Sequence, residues 1–131
     1  MTLTRDGEYI TWFLGKPWRW TDPAGRVWHD AGAERNGEGY YAAGVPIETH
    51  GIAFPNDHGT LRGWWEVDFP RLGKTVIARQ IDVGPKKPVI DLSAPLAYAM
   101  FGSPAAVVDH SPWTATYLGF TLPDGKVPGV I

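Results

Sequence analysis

IARQIDVGPKKPVIDLSAPLAYAMFG, residues 77–102, is the stretch of the chain that decides its fold. It continues an alternating run, TVIARQIDV, which predicts a strand over residues 75–83. After a short loop, Ser93 is suited to cap a helix, residues 96–101 (LAYAMF) propagate it, and Gly102 ends it. We therefore expect a strand, a loop and a short helix to follow one another within this single stretch.

The rest of the chain predicts further strands and turns. Aromatic, β-branched or alternating runs occupy residues 9–14 (YITWFL), 64–69 (WWEVDF) and 113–118 (WTATYL). The turn signal at residues 22–25 (DPAG) separates two aromatic arms and predicts a hairpin. The 16 Gly and 12 Pro are typical of many turns between short strands. These patterns predict an all-β fold with one short helix and an N-terminal aromatic-rich hairpin.

Composition restricts the class of protein. With 131 residues, 44% hydrophobic and 20% charged, the chain is of a size for one domain and too apolar for disorder. Its net charge of -2 gives no electrostatic reason to expect a nucleic-acid partner. Because there is no Cys, disulfides, zinc–thiolate sites and a thiol nucleophile are excluded. No stretch approaches the roughly 20 apolar residues of a membrane span, and we expect no signal peptide in the opening residues MTLTRDGEYITW.

Several short motifs connect the sequence to a known family. Residues 82–85 (DVGP), residues 90–93 (IDLS) and the helix that ends at Gly102 follow one another in order, and residues 58–61 (HGTL) precede them. Together with a weaker similarity of residues 9–15 to an opening strand, this arrangement resembles the rare lipoprotein A group and its double-psi β-barrel relatives. The resemblance covers roughly the last two thirds of the chain and implies a six-stranded double-psi β-barrel.

The expected domain organisation follows from these patterns. We expect a single domain over residues 1–131. Within it, residues 1–46 would form an N-terminal strand, a Trp-rich hairpin and a loop, and residues 47–122 the barrel core. Residues 123–131, which are rich in Pro and Gly, would form a C-terminal tail.

The resemblance implies a catalytic acid at Asp82. Relatives of this fold include lytic transglycosylases of peptidoglycan, expansin-like wall-loosening proteins and barrels without catalytic role, and fold alone does not choose among them. Lytic cleavage requires a single carboxylic acid, since a hydroxyl of the sugar itself replaces water as nucleophile. Asp82 lies between apolar neighbours, which favour its protonated form, and His58 would support it. The alternative role of Asp82 is to cap the turn that follows.

The other predicted site residues would bind the glycan or support Asp82. Trp64 and Trp65 offer aromatic faces to sugar rings, and since they are adjacent on a strand they should point to opposite faces. Lys86 and Lys87 would supply positive charge to the groove. Asp91 is expected to hydrogen-bond near the helix start and to give Asp82 indirect support. The alternatives are that the tryptophans fill the barrel and that the lysines are solvated.

The sequence also departs from the family pattern. Rare lipoprotein A typically carries Asn-Asp-Arg-Gly-Pro where this chain has IDVGP at residues 81–85, and its arginine before Ile-Asp-Leu is replaced by Pro88-Val89. These departures bear on catalysis more than on the fold. The remaining histidines, His29, His50 and His110, show no metal-ligand spacing, and the sequence implies neither a metal nor a cofactor.

Three functions remain open from the sequence. The first is a peptidoglycan-directed protein of bacterial or phage origin that acts as a lytic transglycosylase. The second is a non-catalytic, expansin-like barrel that binds glycan strands. The third is a structural component of a phage virion or secretion apparatus, which would contact a protein partner through the N-terminal Trp-rich region. These functions place the protein at the bacterial cell wall or in a phage particle.

Overall fold

The computed structural model describes residues 3–12, 19–29, 44–54, 59–83, 89–104 and 110–131, and it confirms a mostly β fold. Within these residues lie ten strands: β1 (Thr4–Gly7), β2 (Tyr9–Trp12), β3 (Arg19–Thr21), β4 (Val27–His29), β5 (Gly51–Phe54), β6 (Trp64–Phe69), β7 (Lys74–Val83), β8 (Val89–Leu92), β9 (Trp113–Gly119) and β10 (Gly129–Val130). Helix α1 (Ala94–Phe101) follows β8, and a 3-10 turn (Pro70–Leu72) joins β6 to β7. No helix in the described part of the chain is long and apolar enough to cross a membrane.

Eight of the strands form one mixed sheet that curls into part of a barrel. Their order is β1-β9-β6-β7-β5-β8-β2, and β10 pairs with β7 beside this path. β5 runs parallel to β7, and β2 runs parallel to β8, whereas the other pairs in this sheet are antiparallel. β5 thus separates β7 from β8, although these two strands follow one another in the chain.

Alternation along β6 builds the core. Trp65, Val67 and Phe69 are fully buried, as the period of two in the sequence predicts. Phe54 joins them, and its ring centroid lies 4.8 Å from that of Trp65 and 5.4 Å from that of Trp113. Burying each of these large side chains contributes about 1.5–3 kcal/mol. The side of the sheet away from this core is called the outer face below.

The predicted helix is confirmed together with both of its ends. The Ser93 hydroxyl accepts a hydrogen bond from the backbone N–H of Leu96 at 3.4 Å, and Gly102 ends the helix in the left-handed conformation. The same hydroxyl accepts from the backbone N–H of Gly51 at 2.8 Å and donates to the carbonyl of Thr49 at 3.0 Å. Ser93 therefore fixes the start of the helix against the start of β5.

The predicted N-terminal hairpin is also confirmed, as the antiparallel pair β3 and β4. Its turn is held by Asp22, which accepts hydrogen bonds from Trp28 Nε1 at 2.9 Å and from the backbone N–H groups of Ala24 and Arg26. These bonds, the one from Trp28 above all, hold the pKa of Asp22 below its usual value. The turn is thus stabilised by a carboxylate that stays ionised.

The hairpin packs onto the sheet instead of extending from it. Trp20 is 8% exposed, and its ring meets that of Tyr98 edge-on at 5.8 Å. The other buried members of this second cluster are Val45, Ile47, Ile81 and Ala94. Trp28 lies against the same cluster, so both tryptophans serve the packing of the chain itself. The side chains of Trp12 and Trp18 lie outside the described part of the chain.

Both ends of the chain contribute strands to the large sheet. β1 pairs with β9 and β2 pairs with β8, so the N-terminal segment adds two strands to those of residues 47–122. At the C-terminus, Gly129 pairs with Ile77, and the N–H of Ile131 donates to the carbonyl of Thr75 at 2.8 Å. The expected tail therefore ends as a short strand of the same sheet.

Candidate functional site

Asp82 and Asp91 lie in one row of the sheet, on either side of Ala53. Ala53 in β5 pairs with Asp82 in the parallel strand β7 and with Asp91 in the antiparallel strand β8. Neighbouring strands are about 4.8 Å apart, so the backbones of the two aspartates are roughly 10 Å apart. Both side chains are partly exposed. The pairing therefore brings together two residues that the sequence predicted to act together.

A shift in the pairing register sets the direction of Asp82. Ile52 pairs with Gln80, but the next residue of β5, Ala53, pairs with Asp82, so β7 carries one extra residue at this point. Such bulges redirect side chains. Here Gln80 is fully buried, while Ile81 belongs to the second cluster on the outer face. After this extra residue, the side chain of Asp82 lies on the same face of the sheet as that of Ala53, the residue with which it pairs.

The side chain of Asp91 lies on the outer face because side chains alternate between the two faces along β8. Its neighbours Ile90 and Leu92 are fully buried in the core, so the side chain between them projects to the opposite side. The side chain of Ala53 is a methyl group that is 2% exposed. Only this small side chain separates the two aspartates in the row.

Three predicted site residues, His58, Lys86 and Lys87, lie outside the described residues. The segments that carry them are residues 55–58 and 84–88, which begin directly after Phe54 and Val83. Phe54 and Val83 are paired in the sheet. The parallel strands β5 and β7 therefore end at the same edge of the sheet, next to the row of Asp82 and Asp91.

The two adjacent tryptophans point to opposite faces, as predicted. Trp65 is fully buried, and its Nε1 donates to Gln80 Oε1 at 3.3 Å, so its ring offers no surface to a glycan. Its predicted role as a substrate platform is therefore replaced by a role in the core. Trp64 is partly exposed on the outer face, and the Arg79 guanidinium lies 5.6 Å from its ring centroid. The role of Trp64 as a platform for a sugar ring stays a prediction.

Trp64 also lines a groove that the sequence did not indicate. This groove, called the Trp64 groove below, has a volume of about 300 Å³ and is lined by Glu48, Thr49, His50, Trp64 and Pro128. These residues come from three distant parts of the chain. His50 carried no signal in the sequence, because its spacing to other polar residues matches no motif.

His50 is the unusual polar group of the Trp64 groove. Its Nδ1 is buried and has no hydrogen-bond partner among the described residues, and burial lowers the pKa of the imidazole. A Cβ atom placed on Gly129 would lie 2.9 Å from this nitrogen. The C-terminal strand thus lies directly against a neutral histidine.

The described residues contain no group of three or more His, Cys, Asp or Glu side chains that could hold a metal ion. In comparisons of the chain with protein-family models, curated proteins and solved structures, nothing matched. The class that the fold itself defines is a mostly β protein with one curled mixed sheet and a short capped helix. Any more specific assignment of function depends on the residues of the candidate site.

Proposed function

We propose that this protein is a peptidoglycan-directed double-psi β-barrel that cleaves glycan strands lytically at Asp82. The observation that carries the proposal is the row in which Asp82 and Asp91 flank Ala53 at the end of their strands. Partly exposed carboxylates beside two connecting segments are where a catalytic site is expected. The place of action would be the bacterial cell wall, for a protein of bacterial or phage origin.

The proposed reaction needs one acid that later serves as base. Protonated Asp82 gives its proton to the glycosidic oxygen while the bond from that oxygen to the anomeric carbon breaks. A hydroxyl of the same sugar attacks the anomeric carbon and closes an anhydro ring. The proton of this hydroxyl passes to the Asp82 carboxylate, which restores the acid. No water is consumed, so no second carboxylate is needed to activate it.

The neighbouring residues would assist this step. Asp91 would support Asp82 indirectly from its position in the same row of the sheet. His58 would orient Asp82 or accept its proton, and Lys86 and Lys87 would bind anionic groups of the glycan. All three of these residues follow the paired ends of β5 and β7.

The finer fold assignment is part of the proposal. A closed double-psi barrel would place six strands, among them the five from β5 to β9, around one axis. The mixed sheet, with β5 between β7 and β8, supports this assignment. The order of the sequence motifs at residues 82–85 and 90–93 supports it as well.

Digestion of purified peptidoglycan tests the function. Wild type, Asp82→Asn and the control Asp124→Asn, which changes an exposed aspartate outside the site, would be incubated with sacculi and the products identified by mass spectrometry. We expect anhydro-muropeptides from wild type and the control, and at least about a hundredfold less from Asp82→Asn, since general acid–base catalysis contributes roughly 10²–10⁴. Equal products from Asp82→Asn would overturn the role of Asp82.

A second candidate function is a glycan-binding barrel without catalysis. The partly exposed Trp64 in its groove favours it, because an aromatic platform binds sugar rings with or without an acid nearby. The same incubation separates the two functions. Binding to sacculi without any released product, under conditions where a control enzyme works, would favour the binding function.

A further inference from the structure

We propose that the Trp64 groove is a carbohydrate-binding site of its own, which takes one or two pyranose rings of a β-1,4-linked oligosaccharide. Its volume of about 300 Å³ lies at the small end of ligand sites. This inference rests on the glycan-binding function proposed above and does not require cleavage at Asp82. Ile81, which lies between Arg79 and Asp82 along β7, is buried in the same cluster as Trp20 and Ile47.

Trp64 supplies a fixed apolar platform. Arg79 lies over its ring at 5.6 Å, and Arg79 Nε donates to the carbonyl of Arg62 at 2.8 Å, which restrains the guanidinium. Pro128 adds a second apolar surface to the groove. A pyranose ring presents flat C–H faces that stack on an indole, so a ring of this kind matches the platform.

The groove also offers an unused donor and an unused acceptor. Among the described residues, Trp64 Nε1 has no hydrogen-bond partner, unlike the Nε1 groups of Trp28 and Trp65. The exposed Glu48 carboxylate likewise makes no hydrogen bond or ion pair with any described residue. A sugar carries hydroxyl donors and oxygen acceptors around an apolar face, which matches this combination better than a purely apolar ligand does.

The wall of the groove is built by the C-terminal strand. β10 pairs with β7 and brings Pro128 and Gly129 to His50. Gly129 has a φ of 110°, and its lack of a side chain allows the backbone to lie against the imidazole. The groove is therefore formed before any ligand arrives, which lowers the entropic cost of binding.

Nuclear magnetic resonance of the tryptophan indole N–H groups tests this proposal. The ¹⁵N-labelled protein would be titrated with chitotriose and, in a separate arm, with cellotriose. We expect a saturable shift of the Trp64 indole signal with at least one of them. The Trp28 and Trp65 signals should stay in place, because both groups are already bonded inside the protein. A response to chitotriose alone would show that the acetamido group is recognised.

Variants make the outcome decisive. Trp64→Ala should weaken binding roughly tenfold or more, and Glu48→Gln by a smaller factor, while Asp124→Asn, which changes an exposed aspartate outside the groove, should bind as wild type does. Binding that persists in Trp64→Ala, or no saturable shift with either sugar, would overturn the proposal. This titration follows binding at the Trp64 indole, whereas the digestion of sacculi follows product formed at Asp82, so failure of this site is distinguishable from failure of the cleavage proposal.

Discussion

Asp82 lies in the same row of the sheet as Asp91, with Ala53 paired to both of them. The two residues are on strands that follow each other in the chain, yet a third strand from far earlier in the sequence lies between them. Their separation of roughly 10 Å is therefore set by the sheet spacing and not by a local turn.

Removing the Asp91 charge should slow glycan cleavage modestly. Asp91→Asn keeps the size of the side chain in the row and removes its carboxylate. Because Asp91 supports Asp82 only indirectly in the proposed mechanism, the rate of anhydro-muropeptide formation should fall far less than the roughly hundredfold loss expected of Asp82→Asn. Asp124→Asn is the control. A loss as large as that of Asp82→Asn would show that Asp91 itself acts on the substrate.

Acid should destabilise the fold through His50. Burial lowers the pKa of His50 from its ordinary 6.5, so the unfolded chain binds a proton more readily than the folded one. The stability contributed by neutral His50 is complete above about pH 6.5 and is lost as the pH falls through the lowered pKa. Urea midpoints of wild type should thus drop between about pH 7.5 and about pH 5.5.

The matched variants isolate the His50 contribution. His50→Gln should reduce this drop, since glutamine does not titrate. His110→Asn, at an exposed histidine with a φ of 56°, should leave it unchanged. An equal drop in wild type and His50→Gln would assign the pH dependence to other groups.

Gly129→Ala should destabilise the protein more than Gly125→Ala does. Both glycines have positive φ, 110° and 83°, so each alanine costs about 1–2 kcal/mol of backbone strain. Only at position 129 would the new Cβ also meet His50 at 2.9 Å, since nothing lies within 4 Å of the other. Urea unfolding and faster amide exchange at Ile131 check this. Equal costs would contradict the contact between the C-terminal strand and His50.

The buried amide of Gln80 should be needed for stability despite its unpaired nitrogen. Gln80 Oε1 accepts from Thr60 Oγ1 at 2.7 Å and from Trp65 Nε1 at 3.3 Å, while its Nε2 is buried without a partner. Gln80→Met should cost about 1–3 kcal/mol in the free energy of unfolding, because the indole donor is left unsatisfied in the core. Thr60→Ser, which keeps the hydroxyl, should cost much less. A more stable Gln80→Met would show that the unpaired amide nitrogen outweighs both bonds.

Sequence signals within a few residues predicted the helix ends, the alternation in β6 and the hairpin turn, because neighbouring residues determine these features. Ser93 and Gly102 mark the ends of the helix because capping depends on neighbouring backbone groups. The alternation at residues 64–69 predicted that the two adjacent tryptophans point to opposite faces. The turn at residues 22–25 predicted the hairpin for the same reason.

Long-range pairing decided what the sequence could not show. β1 is the polar stretch TRDG, which carries no strand signal and forms only because it pairs with β9. Gly7 in β1 is required because a Cβ there would overlap the ring of Trp113. The β10 pairing and the extra residue in β7 depend likewise on distant partners. The Trp64 groove was missed because its walls meet only after the C-terminal end of the chain has joined the sheet.

The most direct test of the proposed lytic function is digestion of sacculi in water labelled with heavy oxygen. Lytic cleavage at Asp82 closes an anhydro ring with a hydroxyl of the sugar, so it takes no oxygen from the solvent. We predict anhydro-muropeptides without label from wild type, and at least about a hundredfold less product from Asp82→Asn. Labelled reducing ends from wild type would mean hydrolysis by a water molecule and would contradict the lytic mechanism.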